Sequence, residues 1–381
     1  MIYFDNSATT KVLPEAADRA IHYMLSDFYN PSAAYGKAYS IEKDIDKARK
    51  YIASSICVNP DEIYFTSGAT ESNNIAIFGS LNSKISKPEI VTTMVEHPSV
   101  YETILRAAQM FGASIKYVPL LPDGTVNLDE LKLLLNEKTI FISIMHVNNE
   151  LGSVNNLNAI NKLVKQFAPN AIFHSDGVQG YLKEYPLSIP CDLYSVSGHK
   201  FHAPKGVGFL FVKNGVKNEG GQRGGGQERN FRSGTVNTPS IMAMETAIKA
   251  YISNFDNWHS AMYLVKRRMA ENLLKIPEVI INGPSVDCGA PHILNESFLG
   301  VRGEVLLHAL EKEDILVSTG SACSSKKIGK NRILHAIGID GARQEGAIRF
   351  SFSPFNTIEE VDIACEIIEK NVSFLRKYRR R

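Results

Sequence analysis

The chain has 381 residues, 44% of them hydrophobic and 22% charged, with a formal net charge of +2 at pH 7. This is the composition of an ordinary globular protein, long enough for two packed domains. The near-neutral balance gives no electrostatic reason to expect nucleic acid or an anionic membrane as partner, and no run approaches the roughly 20 apolar residues of a membrane span.

The five cysteines (Cys57, Cys191, Cys288, Cys323 and Cys365) are scattered and form no C-x-x-C pair. Neither a zinc site nor a thioredoxin-like motif is indicated, and no metal is expected. An odd, unpatterned count points to a reducing compartment, with at least one thiol reactive rather than structural. The opening Met1-Ile2-Tyr3-Phe4-Asp5-Asn6-Ser7-Ala8-Thr9-Thr10 lacks the basic and apolar segments of a secretory signal. A cytoplasmic location is expected.

In chain order, residues 1–12 read as a small polar loop, and a helical pattern runs from Pro14 to about Leu25. Asn30-Pro31-Ser32 breaks it, and a charged amphipathic helix continues to about Ala53. Glu62-Ile63-Tyr64-Phe65 reads as a strand leading into Thr66-Ser67-Gly68-Ala69-Thr70-Glu71, with a helix from Asn73 to Phe78. A glycine turn rich in hydroxyls between strand and helix suits an anion such as phosphate. Read alone, Thr70 serves equally as an ordinary helix cap.

From there strands and helices alternate: strands at 90–94, 113–118, 139–147, 171–174, 193–196 and 207–212, with helices at 98–111, 128–135 and 157–167. This spacing predicts an α/β fold with a largely parallel sheet covered on both faces. Ligands of such sheets gather beyond the carboxyl ends of the strands. Thr70, His97, Asn148, Asp176 and Lys200 all fall at or just past strand ends. Their convergence carries more weight than any one motif.

Lys200 closes the run Ser195-Val196-Ser197-Gly198-His199-Lys200, and Asp176 closes Ile172-Phe173-His174-Ser175-Asp176. A lysine amine made nucleophilic by its surroundings, paired with a carboxylate that keeps a pyridine nitrogen protonated, meets the two main demands of pyridoxal phosphate. A turn-capping Asp and a surface Lys remain the plain alternative. His97, fixed before Pro98, could stack on a flat ring and pass protons.

The loop 220–229, with its run of glycines and its arginines, suits an anionic ligand or another subunit, and one long helical region is expected from about Pro239 to Leu274. The remainder reads as α+β: strands at 279–281, 293–298 and 315–317, and a helix at 304–310. Cys323 sits among small hydroxylated residues before Lys326-Lys327, a setting that favours an accessible thiolate. Arg349, in the short strand Ile348-Arg349-Phe350-Ser351, needs a carboxylate from the protein or from a substrate. The basic end, Arg376 to Arg381, reads as a solvated tail.

These residues, taken in order, resemble the cysteine desulfurases, the NifS/IscS-like group of fold-type I, class V pyridoxal-phosphate enzymes. The likeness runs from Phe4-Asp5-Asn6-Ser7-Ala8-Thr9-Thr10, through Thr66-Ser67-Gly68-Ala69-Thr70-Glu71-Ser72, Met145-His146-Val147-Asn148-Asn149-Glu150-Leu151-Gly152 and Ser197-Gly198-His199-Lys200. It continues in Gly224 to Arg229, Arg232-Ser233-Gly234-Thr235, Gly320-Ser321-Ala322-Cys323-Ser324-Ser325 and Ile348 to Ser351.

The resemblance implies a large pyridoxal-phosphate domain over 13–254 and a small domain made of 1–12 and 255–381. It implies that Lys200 carries the cofactor, that Asp176 meets the pyridine nitrogen, and that Gln179 bonds the ring oxygen. His97 is then the ring-stacking proton carrier. Ala69, Thr70, Ser197 and His199 hold the phosphate, with Thr235 reaching the neighbouring subunit of a homodimer. Asn148 and Arg349 bind the substrate carboxylate, Asn148 also near the cofactor, and Cys323 takes sulfur as a persulfide. The implied reaction turns L-cysteine into L-alanine, with a sulfur-acceptor protein serving iron–sulfur cluster, thiolated-tRNA or thiamine synthesis. A selenocysteine lyase, a class V aminotransferase and an inactive sulfur-assembly scaffold are the alternatives. One departure stands out: Asp176-Gly177-Val178-Gln179 has glycine where alanine is commoner in this group.

Overall fold

A computed structural model describes residues 1–81, 85–184, 188–319 and 331–378. The short strand β1 (Ile2–Tyr3) precedes the strands of the main sheet: β2 (Ile63–Thr66), β3 (Glu89–Thr92), β4 (Ser114–Tyr117), β5 (Thr139–Ser143), β6 (Ile172–Asp176), β7 (Leu193–Ser197) and β8 (Gly208–Val212). They form one seven-stranded sheet in the order β2-β8-β7-β6-β5-β3-β4. The pairs β4–β3, β3–β5, β5–β6 and β6–β7 are parallel, while β8 runs antiparallel to both β7 and β2. The carboxyl ends of the other six strands therefore share one edge.

Side chains alternate across a strand, and both faces of this sheet are apolar. Ile90, Phe141, Leu193 and Leu210 pack with Ile75, Ile77, Val100 and Ile104 of the helices Ala69–Ser80 and Pro98–Phe111. Their neighbours Val91, Ile142, Tyr194 and Phe209 join the opposite cluster, with Ile41, Ile45 and Ile52 of the helix Gly36–Ser54 and Ile241 and Ile248 of Thr238–Ser253. Burial on both faces explains why these strands read as nearly continuous apolar runs.

A third apolar cluster lies over the antiparallel sheet β12-β10-β9, made of β9 (Val279–Ile281), β10 (Ile293–Phe298) and β12 (Ala347–Ser351). Leu294, Phe298, Ile348 and Phe350 meet Val265 and Met269 of the helix Phe255–Leu273 and Val361 and Ile368 of Ile358–Arg376. Phe4 belongs to this cluster, and β1 pairs in parallel with β11 (Ile315–Leu316). Among the described residues no helix is long and apolar enough to cross a membrane.

The strand expected over 139–147 ends at Ser143, residues 1–12 contain β1, and two expected helices differ. The helix expected from Asn73 starts at Ala69, because Gly68 takes φ 140° at its cap, a conformation glycine adopts easily and other residues rarely. Thr70 therefore lies in the first turn rather than at the cap. The single helical region expected over 239–274 is two helices, Thr238–Ser253 and Phe255–Leu273, separated at Asn254, whose ψ of 13° leaves the helical range. The periodicity of 3.6 survives such a break, so pattern alone does not reveal it.

Candidate active site

The shared strand edge brings the predicted residues together. Ala69 and Thr70 open the helix after β2, and its first intrahelical bond is donated by the Ser72 N–H to the Gly68 carbonyl. The preceding N–H groups thus lack helical partners and, with the helix dipole, favour an anion. The turn lies against β7: a Cβ on Gly68 would stand 3.4 Å from Ser197 Oγ at the end of that strand. Glu71 also accepts from the Ser67 N–H and binds Arg232 at 2.7 Å, which fixes the turn from outside.

Asp176 is buried at the carboxyl end of β6. Oδ2 accepts from Asn73 Nδ2 at 2.8 Å and Oδ1 from the Val178 N–H at 3.0 Å. Among the described residues no cationic side chain forms an ion pair with it. Asn73, which sequence reasoning missed, also donates to Ser99 Oγ at 2.9 Å. The Ser99 hydroxyl is 2.8 Å from His97 Nδ1, which also accepts from the Ser99 N–H. Nδ1 is therefore an acceptor, and the proton of neutral His97 sits on Nε2. Burial lowers the His97 pKa; Asp176 opposes the shift, and Lys200 and Arg332 reinforce it. A helical register would have hinted at Asn73, one turn past Ala69 on the face carrying Ser72 and Ile77 toward the core.

Lys200 and His199 lie in a short turn after β7. Lys200 Nζ donates to the Ser7 carbonyl at 2.6 Å and to that of Ala8 at 2.9 Å. His199 Nδ1 is 3.1 Å from Thr9 Oγ1, and burial, with help from Lys200, Lys205 and His97, brings its pKa down to about 4. Residues 5–10, expected as a plain loop, thus form a wall of the site. Gln179 Nε2 shares the Ser7 carbonyl at 3.0 Å, while its Oε1 lies 3.1 Å from His292 Nε2. The unusual Gly177 has a steric cause, since an added Cβ would lie 1.9 Å from Cζ of Tyr194. The Tyr194 hydroxyl in turn meets His146 Nδ1 at 2.9 Å.

The other predicted residues are placed differently. Asn148 is buried, but its Oδ1 accepts the N–H groups of Glu150 and Leu151, each at 2.9 Å, and its Nδ2 approaches the Val95 carbonyl at 3.3 Å. It closes its own turn. Arg349, also buried, donates to Asp5 Oδ1 at 2.7 Å and to the Asn149 carbonyl at 3.0 Å, and its Nε is a buried donor without a partner among the described residues. Thr235 is exposed and lines a cavity with Thr66, Ser67 and Arg232. Cys323 and Lys326-Lys327 lie outside the described residues. Among the described residues no group of three or more His, Cys, Asp or Glu is set to hold a metal ion.

Residues 2–363 match the family of class-V aminotransferases. A cysteine desulfurase IscS of Photorhabdus laumondii is 38% identical over 384 residues, covering 99% of this chain and 94% of that protein. Among solved structures, one described as a NifS-like protein superposes with a TM-score of 0.91 at 35% identity, covering 98% of this chain and 99% of the other. A second, SspA in complex with cysteine, gives a TM-score of 0.81 at 28% identity, covering 94% of this chain and 100% of the other. The chain belongs to the class-V aminotransferase family and, within it, to the NifS/IscS-like cysteine desulfurases.

Proposed function

We propose that the chain is a pyridoxal-phosphate-dependent enzyme that converts L-cysteine to L-alanine and leaves the sulfur on Cys323. The observation that carries this reading is the strand-edge site within a chain matched almost end to end by cysteine desulfurases. The residues fit the cofactor. Asp176 offers a protonated ring nitrogen a buried carboxylate that no cation among the described residues pairs with, and the N–H groups without helical partners at the start of the helix Ala69–Ser80 suit its phosphate.

Lys200 would hold the cofactor covalently and Gln179 would bond its ring oxygen. Ala69, Thr70, Ser197 and His199 would receive the phosphate, joined by Thr235 of a second copy in a homodimer. When bound, the ring stabilises the negative charge left on the substrate's α-carbon. Arg349 would exchange Asp5 for the substrate carboxylate, assisted by Asn148 if its turn opens. Lys200 Nζ, once released, would take the α-proton, and His97, protonated on Nε2, would donate one. In the balance the substrate C–S bond breaks and an S–S bond to Cys323 forms. The proton of the Cys323 thiol ends on carbon, so cysteine plus thiol gives alanine plus persulfide.

The large domain over 13–254 and the small one over 1–12 and 255–381 are part of this reading, supported by an apolar cluster over the antiparallel sheet that is separate from those on the two faces of the main sheet, and by Phe4 within it. The sulfur then passes to an acceptor protein of iron–sulfur, thio-tRNA or thiamine synthesis, in the cytoplasm. Alanine formation from L-cysteine, with sulfide released from the persulfide by an added thiol reductant, tests the core of it. Wild type is expected to form both and Cys323→Ser neither, with cofactor absorbance kept by each; an equally active variant removes the persulfide route.

A further inference from the structure

His292 lies in the segment leading into β10, and neither the family likeness nor the reaction above gives it a role. It is 2% exposed. Its backbone is fixed by the Phe352 N–H, which donates to the His292 carbonyl at 2.9 Å. Among the described residues its ring has one side-chain contact by hydrogen bonding, Nε2 to Gln179 Oε1 at 3.1 Å, while Nδ1 is buried without a partner.

The protons can be assigned from these contacts. The Ser7 carbonyl can only accept, so the Gln179 atom facing it is the amide nitrogen and the atom facing His292 is the amide oxygen. That oxygen can only accept, so His292 carries its proton on Nε2. The unpartnered Nδ1 is then a lone pair rather than a stranded N–H. Burial, with Lys183, Lys266, His259 and Arg349, also holds the imidazole neutral, far below its ordinary pKa. Of the four hydrogen-bonding positions on the Gln179 amide, His292 and Ser7 fix one oxygen lone pair and one N–H. The second N–H is left in a fixed direction.

We propose that His292 is a positioning residue: its Nε2–H anchors the Gln179 amide oxygen, so that the remaining Gln179 N–H is held toward the ring oxygen of the bound cofactor. The inference rests on the cofactor role proposed for Gln179 above. A donor to that ring oxygen competes for the proton held beside it and lowers the pH at which that proton leaves. Loosening the donor raises that pH.

The test is a spectrophotometric pH titration of the holoenzymes, with thermal melting recorded for each variant. His292→Leu is expected to raise the absorbance midpoint by about one pH unit, the scale of one hydrogen bond to a charged group. Gln179→Leu should shift it the same way, and the double variant should shift no further than Gln179→Leu alone, since one residue acts through the other. His292→Gln, whose Nε2 occupies about the place of the imidazole Nε2, should stay within about 0.3 unit of wild type, on the same hydrogen-bond scale. His292→Asn, whose amide falls short, should behave as His292→Leu and serves if the leucine variant does not fold.

Additive shifts in the double variant, or no shift in His292→Leu and His292→Asn, overturn the proposal. Alanine formation by wild type is read separately. If wild type makes none while the shifts coincide, the positioning role stands and the desulfurase reading falls. Alanine formation with additive shifts gives the reverse.

Discussion

Asp176 and Arg349 are both buried charges at the site, but one is left without an ionic partner and the other is supplied with one. Asp176 is held by the neutral donors Asn73 and Val178, and no cation among the described residues pairs with it. Arg349 has Asp5 at 2.7 Å and the Asn149 carbonyl at 3.0 Å. A buried carboxylate with only neutral donors is stable enough to persist and gains most from an incoming cation. An arginine already paired must exchange one carboxylate for another. The first suits a resident group that stays; the second suits a substrate that comes and goes.

The sharpest way to break the contrast is Asp176→Asn. It keeps the shape, removes the charge, and is expected to lower alanine formation at least about a hundredfold, on the scale of a lost electrostatic contact in a closed site. Loss of activity without weaker cofactor uptake, followed by absorbance titration, would confine Asp176 to the reaction itself. Gly177→Ala, beside it, should cost about 1–3 kcal/mol or more of stability by overpacking against Tyr194. Pairing it with Tyr194→Ser should recover part of the lost melting temperature.

Arg349→Gln is expected to raise KM for L-cysteine about tenfold or more, the worth of a charge-assisted hydrogen bond. Asp5→Asn should lower KM, because the guanidinium then gives up less. If both variants lose melting temperature while KM stays unchanged, the pair is structural and the contrast collapses.

The smallest effect separates the two regions by pH. Behind Asp176, burial brings His146 down to about 4 and His174 to about 3. Their unfolded forms gain protons below about pH 6.5 and the folded forms do not. That stability is complete above 6.5 and is lost as pH falls toward 4. Near Arg349, burial raises Glu150 to about 7, and beside His97 it raises Glu96 to about 8. Here stability is complete below about 4.5 and is lost as pH rises toward 7 and 8. Melting curves from pH 4 to 9 should show His146→Gln flattening the acid limb and Glu150→Gln the alkaline one.

The strand ends were legible because a parallel sheet repeats one simple pattern, and its carboxyl edge collects Thr70, His97, Asp176 and Lys200 without further information. What was not legible depends on contacts between distant parts of the chain. Asp5 and Arg349 are 344 positions apart, and Gln179 and His292 are 113 apart. No spacing rule joins them. Asn148 was ambiguous for a local reason: an Asn at a strand end serves a turn as readily as a ligand, and here its oxygen takes two backbone N–H groups. Asn73 was hidden by the expected helix start, which placed it at a terminus rather than inside the helix.

Gly177 and Tyr194 also constrain the order in which the protein can change. The tyrosine ring fills the volume that a methyl group at 177 needs, and its hydroxyl is tied to His146. Alanine at 177 costs stability while the ring remains. Shrinking Tyr194 first instead leaves a void and an unbonded imidazole nitrogen for as long as the glycine persists. The route from this sequence to the commoner Asp-Ala version thus passes through a weakened ancestor in whichever order the two steps are taken. That is a steric reason for a lineage to keep its glycine.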